Sequence, residues 1–156
     1  MATLPPNSGM PTTRGINFFE ADANLLHALR HYAAPADAER ALPLLREVGH
    51  CAGNELDELA MLADQHPPTL RGFDGEGRRI DQIDYHPAFI EMQKLGFSRF
   101  GFAAMSHREG VLGWPGRIPH VVKFALSYVF VQAEFGLFCP ISMTDSAARV
   151  IAQFGP

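Results

Sequence analysis

Histidines and cysteines are the residues of this sequence whose types could support metal or nucleophilic chemistry. His27 and His31 are four residues apart in a helical pattern, a spacing that can hold a metal ion. They lie opposite the apolar face of that pattern and have no second pair of ligands near them in sequence, which favours solvated histidines. Cys51 follows His50, but its neighbours provide no electropositive setting for a reactive thiolate. A small buried cysteine is therefore the favoured interpretation.

A polar stretch over residues 69–85 could bind an anion, because it combines arginines with a glycine-containing turn. The turn at Asp74–Gly77, which holds Gly75 and Gly77, lacks the Lys and Ser/Thr pattern of a phosphate-binding loop, so it predicts a β-hairpin instead. Arg71, Arg78 and Arg79 lie among aspartates and a glutamate. Local ion pairs are therefore favoured over an anion site, and such exposed pairs stabilise a fold only weakly.

The stretch FCPISMTD, residues 138–145, is the most specific candidate for a binding site. Pro140 predicts the start of a helix, where the backbone N–H groups of the first turn are free. Ser142 and Thr144 add hydroxyls beside the flexible apolar side chain of Met143. Two interpretations stay open: this helix start lines a ligand pocket, or the hydroxyls bond the local backbone. The residues alone favour the second, since Ser and Thr commonly bond nearby carbonyls.

Bulk properties place these candidates in one globular domain. The chain has 156 residues and a net charge of −4, and its 13 basic residues are scattered, which argues against nucleic-acid binding. Two cysteines far apart in sequence do not form a disulfide framework, so we expect a cytoplasmic protein. Residues 1–16 contain no signal peptide and predict a flexible or extended arm. The apolar run 121–138 is interrupted by Lys123, which favours a core helix over a membrane span.

Helices are predicted on both sides of the hairpin. The first carries an apolar face and ends before Pro35, the second is kinked or restarted at Pro43, and Asn54 is predicted as the N-cap of a third. Pro87 predicts the start of a fourth helix, which Gly96 could end. The apolar face of the first helix consists of Leu25, Leu26, Leu29 and Tyr32.

Two further helices are predicted in the last third of the chain. Pro119 opens a long apolar helix that weakens at Gly136, and Pro140 opens the last one. The last helix has an apolar stripe at helical spacing. This stripe consists of Met143, Ala147, Val150, Ile151 and Phe154.

Three stretches together resemble a known family: NFFEADANL near the start, PPTLRGFDGEGRRIDQIDYHPAF around the hairpin, and LFCPISMTDSAA after the long helix. In this order they are similar to the N-terminal region of acyl-CoA dehydrogenase-like flavoproteins of the adaptive-response, AidB-like branch. The likeness extends from about Asn17 to the end of the chain. Two places depart from the family pattern: Phe89-Ile90 stands where an aromatic followed by His is expected, and Asp145 and Arg149 lie in a usually more apolar region.

The resemblance implies a mainly α fold, an acyl-CoA dehydrogenase N-terminal-type helical domain with one small β-hairpin at about residues 69–85. Residues 17–156 would form this single domain, without the middle β-barrel and C-terminal helical bundle of the family. FAD would be bound by the full-length parent and no cofactor by this chain alone. The flavin motif and the catalytic Glu would lie elsewhere, so no residue here is assigned as catalytic or metal-binding. Pocket-lining roles are implied for Ile141, Ser142, Met143 and Thr144.

The parent would dehydrogenate an acyl-CoA between Cα and Cβ, and this chain would be an inactive piece or truncated relative of it. Its expected partners are the remainder of the flavoprotein, acyl-CoA in the parent, and further copies in a homo-oligomer, with neither nucleic acid nor membrane. Two alternatives stay open. The chain could be a stand-alone interaction module that pairs with a separate chain, or part of an alkylation-resistance protein that protects DNA.

Overall fold

Six α-helices and one two-stranded hairpin make up residues 13–155, the part of the chain that this computed structural model describes. Two π-helical turns, Ala52–Leu56 and Lys94–Arg99, follow the second and fourth helices, and a 3₁₀ turn covers Val111–Gly113. The elements are α1 Ala23–Tyr32, α2 Pro35–Cys51, α3 Asp57–Gln65, β1 Thr69–Phe73, β2 Arg79–Asp84, α4 Pro87–Gln93, α5 His120–Val131 and α6 Phe138–Phe154.

Helix α5 lies at the centre of the core, where it packs against α2 and α1. Most of its side chains are buried, including Val122, Leu126 and Phe130. The Phe130 ring meets those of Phe100 and Phe102 edge-on, with centroids 6.2 and 4.9 Å away. Such aromatic pairs add to the free energy of apolar burial. No helix among residues 13–155 is long and apolar enough to cross a bilayer.

The predicted hairpin is confirmed, with β1 and β2 antiparallel and Thr69 paired with Asp84. The amide of Asp74 donates to the Arg78 carbonyl at 2.9 Å and closes the turn. Gly77 has φ +79°, a conformation that glycine adopts without steric strain. Turn chemistry is local, which explains why the sequence located this element correctly.

Two predicted helix boundaries are wrong. Helix α2 does not restart at Pro43 but continues through it, with the ring on the exposed face while Leu45 and Val48 remain in the core. Asn54 is not an N-cap: the chain passes from α2 into α3 through the π turn, and the Asn54 side chain donates to the His50 carbonyl at 2.8 Å. Tertiary packing overrides both local signals.

Two other boundaries lie slightly away from their predicted positions. Gly96 lies inside the second π turn rather than at a helix end, and Pro140 is the third residue of α6 rather than its first. A Cβ at Gly96 would lie 2.6 Å from Cδ1 of Ile141, so this glycine provides space for α6 to approach. Tyr32, predicted on the apolar face of α1, is exposed.

Residues 1–12 of the predicted N-terminal arm lie outside the described residues. The segment that follows them crosses the end of α2: the Gly15 amide donates to the Gly53 carbonyl at 2.8 Å, and Phe18 to Gly49 at 3.1 Å. A Cβ at Gly53 would lie 1.8 Å from the Ile16 carbonyl oxygen. The close crossing therefore requires glycine at this position.

Candidate functional site

The start of α6, predicted to offer free backbone N–H groups, has most of them bonded. The Glu134 carboxylate accepts from the Leu137 amide at 2.9 Å, and the Phe138 amide donates to the Phe135 carbonyl at 3.1 Å. Pro140 has no N–H to offer. An acidic cap at this position also disfavours an anion. The helix start is therefore closed as an anion site.

The four residues with implied pocket-lining roles point in different directions. Ile141 is buried against Gly96, whereas Met143 is exposed. The Ser142 hydroxyl donates to the Cys139 carbonyl and the Thr144 hydroxyl to the Pro140 carbonyl, both at 2.8 Å. These bonds are those of the second interpretation above, in which the hydroxyls satisfy the local backbone. A pocket-lining role for the four stays a prediction.

The outward face of α6 is an apolar stripe without a cover among residues 13–155. At 100° per residue, positions 143, 147, 150, 151 and 154 share one side of the helix, and positions 141, 145 and 149 share the opposite side. Ile141 is the buried hydrophobic residue of α6. The large exposed residues of the stripe are Met143, Val150, Ile151 and Phe154. We call this surface the α6 stripe.

An ion cluster attaches α6 to the rest of the fold. Nζ of Lys123 lies 2.5 Å from one Asp145 oxygen and 3.1 Å from the Ser106 hydroxyl, and Nε2 of His107 lies 3.0 Å from the other Asp145 oxygen. The Lys123 side chain is only 5% exposed. A buried ammonium requires such a partner. The cluster therefore fixes the orientation of α6 against α5.

Sequence reasoning did not predict this cluster, although two signals of it were present. Lys123 interrupts the apolar run, and Asp145 departs from the family pattern. Neither residue has an oppositely charged partner nearby in sequence, because α5, α6 and the segment that holds Ser106 and His107 are separated along the chain. The signal for this cluster is a lysine within one apolar helix together with an aspartate within the next, since a charge in a buried helix requires an opposite charge beside it.

The thiol of Cys51 is unsuited to nucleophilic attack. It is buried on α2, and burial, together with the Glu55 carboxylate, raises its pKa to about 11. Arg99 acts in the opposite direction but does not outweigh the burial. A thiol that stays protonated at neutral pH is a poor nucleophile.

The remaining candidates have local partners or no neighbouring ligands. His27 and His31 are exposed, and residues 13–155 contain no group of three or more potential metal ligands. In the hairpin turn, the amides of Glu76 and Arg78 donate to the Asp74 carboxylate, both at 2.9 Å. These amides are therefore not free to bind a phosphate.

The hairpin arginines form ion pairs, as predicted. Arg71 pairs with Asp84 across the strands at 3.1 Å, and Arg79 pairs with Asp81 at 2.7 Å. Arg78 bonds Asp74 at 2.8 Å, and this bond lowers the pKa of the Asp74 carboxyl.

Comparison with known proteins places the chain among larger relatives. The family profile described as the adaptive response protein AidB N-terminal domain matches residues 9–154. The putative acyl-CoA dehydrogenase AidB of Escherichia coli (strain K12) is 31% identical over 144 residues, which cover 90% of this chain and 24% of that protein. The chain thus spans about a quarter of the length of the curated relative that it matches.

Solved structures share the fold. Bd2924 in its apo form is 28% identical with a TM-score of 0.78, and the match covers 92% of this chain and 27% of that one. Caenorhabditis elegans ACDH-11, solved in complex with C11-CoA, has a TM-score of 0.78 at 19% identity, covering 97% of this chain and 25% of that one. At that identity the second likeness shows the fold alone.

Proposed function

This chain belongs to the AidB N-terminal domain family, and on that premise we propose that it is the N-terminal helical domain of an FAD-dependent acyl-CoA dehydrogenase-like flavoprotein. In that protein it walls the acyl and flavin cavity and supports the packing of domains or subunits. The complete parent would remove hydrogens from Cα and Cβ of an acyl-CoA. This chain would supply a wall and an interface rather than reacting groups.

The α6 stripe is the observation that carries the proposal. Four large apolar side chains project from one side of a helix whose other side is anchored by Ile141 and Asp145. A run of exposed apolar surface of this kind marks an interaction site. The matched relative is about four times as long, so in it further chain is available to cover such a face.

Residues 141–144 offer few free groups for polar contacts with a flavin. The hydroxyls of Ser142 and Thr144 donate to helix carbonyls, Ile141 is buried, and Met143 offers an apolar contact without a hydrogen bond donor. When bound to the parent, FAD would accept the electrons of the reaction, and its polar contacts would come from other domains. No chemical step is assigned to residues of this chain.

Association in trans tests the proposal. The 156-residue chain is mixed with a family member that lacks its matching N-terminal quarter, and binding is measured by sedimentation. We expect a complex, and we expect Ile151→Asp to weaken it at least about tenfold, because a charge would be buried in an apolar interface. Ala152→Asp adds the same charge at an exposed position on the side of α6 opposite the stripe and should leave binding unchanged. Equal binding by both variants would contradict the proposed packing.

A flavin spectrum of the purified chain tests the assignment of the cofactor to other domains. We expect no yellow absorbance band from the chain alone and a band from the reconstituted complex. A stoichiometric flavin spectrum from the chain alone would refute this assignment. Failure to bind any truncated family member would count both against the proposed packing and against a stand-alone module that pairs with such a chain.

A further inference from the structure

A cleft of about 340 Å³ opens between the start of α5, the loop before it and the distal half of α6. Its polar lining is rich in groups that bind anions. The lining includes Ser106, His107, Arg117, His120, Arg149 and Gln153. On α6, positions 149, 152 and 153 share the side that faces α5, opposite the α6 stripe. The cleft is therefore a surface separate from that stripe.

Both arginines of the cleft lack an acidic partner among residues 13–155. Asp145 precedes Arg149 by four residues, the spacing at which an Asp and an Arg on a helix normally pair. The two Asp145 oxygens are instead engaged by Lys123 and His107. Arg117 likewise forms no ion pair with any described residue. Two guanidinium groups thus line one cleft without an ion pair to any described residue, and the neighbouring Asp145 carboxylate is bonded to His107 and Lys123.

The position of α5 adds to this positive charge. His120 is the first residue of a 12-residue helix whose N-cap, Pro119, makes no side-chain capping bond. The positive end of the helix dipole therefore lies at the wall of the cleft. This contribution reinforces the two arginines, which supply the larger charge.

We propose that this cleft binds the phosphate group of a small organic phosphate ester. A guanidinium group offers paired donors that match phosphate oxygens, and His120 and Ser106 can complete the hydrogen bonding. A volume of 340 Å³ is in the range of small-molecule sites and larger than a bare phosphate needs. Ala152 and Gln153 supply a wall for the organic part. The inference does not depend on the proposed function.

Calorimetric titration of the 156-residue chain with phenyl phosphate tests the proposal. We expect saturable binding that is weakened about tenfold or more by Arg117→Gln and by Arg149→Gln, the effect of losing one charge-assisted hydrogen bond. Arg108→Gln is the matched control, because Arg108 is an exposed arginine that does not line the cleft. All three positions are exposed, and urea unfolding of each variant checks that the fold is intact.

Two further titrations distinguish the possible sources of the phosphate. Inorganic phosphate should bind at least about fivefold more weakly than phenyl phosphate, because it has no organic group to contact Ala152 and Gln153. A single-stranded oligonucleotide should show no tighter binding than phenyl phosphate. Absence of saturable binding, equal loss in Arg108→Gln, equal affinity for inorganic phosphate, or tighter oligonucleotide binding would each overturn the proposal.

Discussion

Helices α5 and α6 are both apolar in sequence, yet they use their apolar residues in opposite ways. In α5 the side chains of Val122, Leu126 and Phe130 lie in the core that α5 forms with α1 and α2, and even Lys123 is buried, while Phe124 and Tyr128 are exposed on its other side. In α6 only Ile141 is fully buried and Phe138 is partly buried against Phe102 and Phe130, whereas the large apolar residues of the α6 stripe face outward. The inner side of α6 is held instead by the Asp145 ion cluster.

The contrast shows that apolar residues at helical spacing can indicate two different kinds of surface in one chain. For α5 it specifies the domain's own core, and for α6 it specifies a surface that this domain does not cover. Since burial supplies most of the free energy of folding, substitutions in the two helices should have very different consequences for stability. The following predictions test that difference, beginning with the largest expected effect.

Phe130→Ala in α5 should destabilise the fold by about 3–5 kcal/mol, because it leaves a cavity beside Phe100 and Phe102. Phe130 is 0% exposed, whereas Phe154 of α6 is 74% exposed. Phe154→Ala should change the unfolding free energy by no more than about 0.5 kcal/mol. Urea unfolding curves of both variants measure the difference. Equal losses would show that α6 belongs to the core after all.

The chemical reactivity of the two cysteines tests the same difference between the buried core and the exposed surface of α6. Cys51 is buried with a pKa raised to about 11, and Cys139 at the start of α6 is exposed. At pH 8 only about 0.1% of a thiol with such a pKa is ionised, so a disulfide reagent should modify Cys139 at least about a hundredfold faster. Reactivity of Cys51 should rise only as the pH approaches 11. A Cys139→Ser variant that reacts rapidly before unfolding would contradict this expectation.

Asp145→Leu tests the attachment of α6 to α5. It leaves the Lys123 ammonium buried without a carboxylate, which should destabilise the fold by about 2–3 kcal/mol, less than for a fully buried pair because the Asp145 side chain is 23% exposed. Adding Lys123→Met should recover part of that loss. Lys94→Met breaks the exposed pair with Glu91 and should change stability by less than about 1 kcal/mol. No recovery in the double variant would show that the charge is not the cause.

Ile151→Lys should weaken self-association of the isolated chain about tenfold, because the α6 stripe is an exposed apolar surface and such surfaces favour association. Ala152→Lys introduces the same charge at an exposed position on the side of α6 opposite the stripe and should change association little. Sedimentation velocity over a range of concentrations measures both. A clean monomer for the unsubstituted chain at high concentration would show that the stripe does not drive association.

The sequence predicted those parts of the fold that depend on neighbouring residues. The hairpin followed from its turn, and the α6 stripe followed from apolar spacing. The direction in which the stripe faces could not be predicted, since periodicity places residues on one side of a helix without saying what covers that side. The same limit applied to Tyr32, which shares the spacing of Leu29 yet is exposed.

Features that depend on distant residues were missed or misplaced. Pro43 and Asn54 are ordinary signals of helix interruption, but α2 continues through Pro43, and Asn54 lies within the π turn that joins α2 to α3. The ion cluster joins Lys123, Asp145 and His107, whose proximity no local pattern encodes. The bonds of the Ser142 and Thr144 hydroxyls to the helix backbone, by contrast, are local and are those that the residues alone favoured.

The π turn at Ala52–Leu56 has a consequence for how this domain tolerates insertions and deletions. A π turn holds one residue more than an α turn, and each residue advances a helix by about 100°. That single residue therefore sets the rotational phase of α3, and of the hairpin after it, relative to α2. Removing one residue there would rotate α3 by about a quarter turn and carry its packing side away from α4. The rotation of α3 and the hairpin relative to α2 thus depends on the length of one five-residue turn.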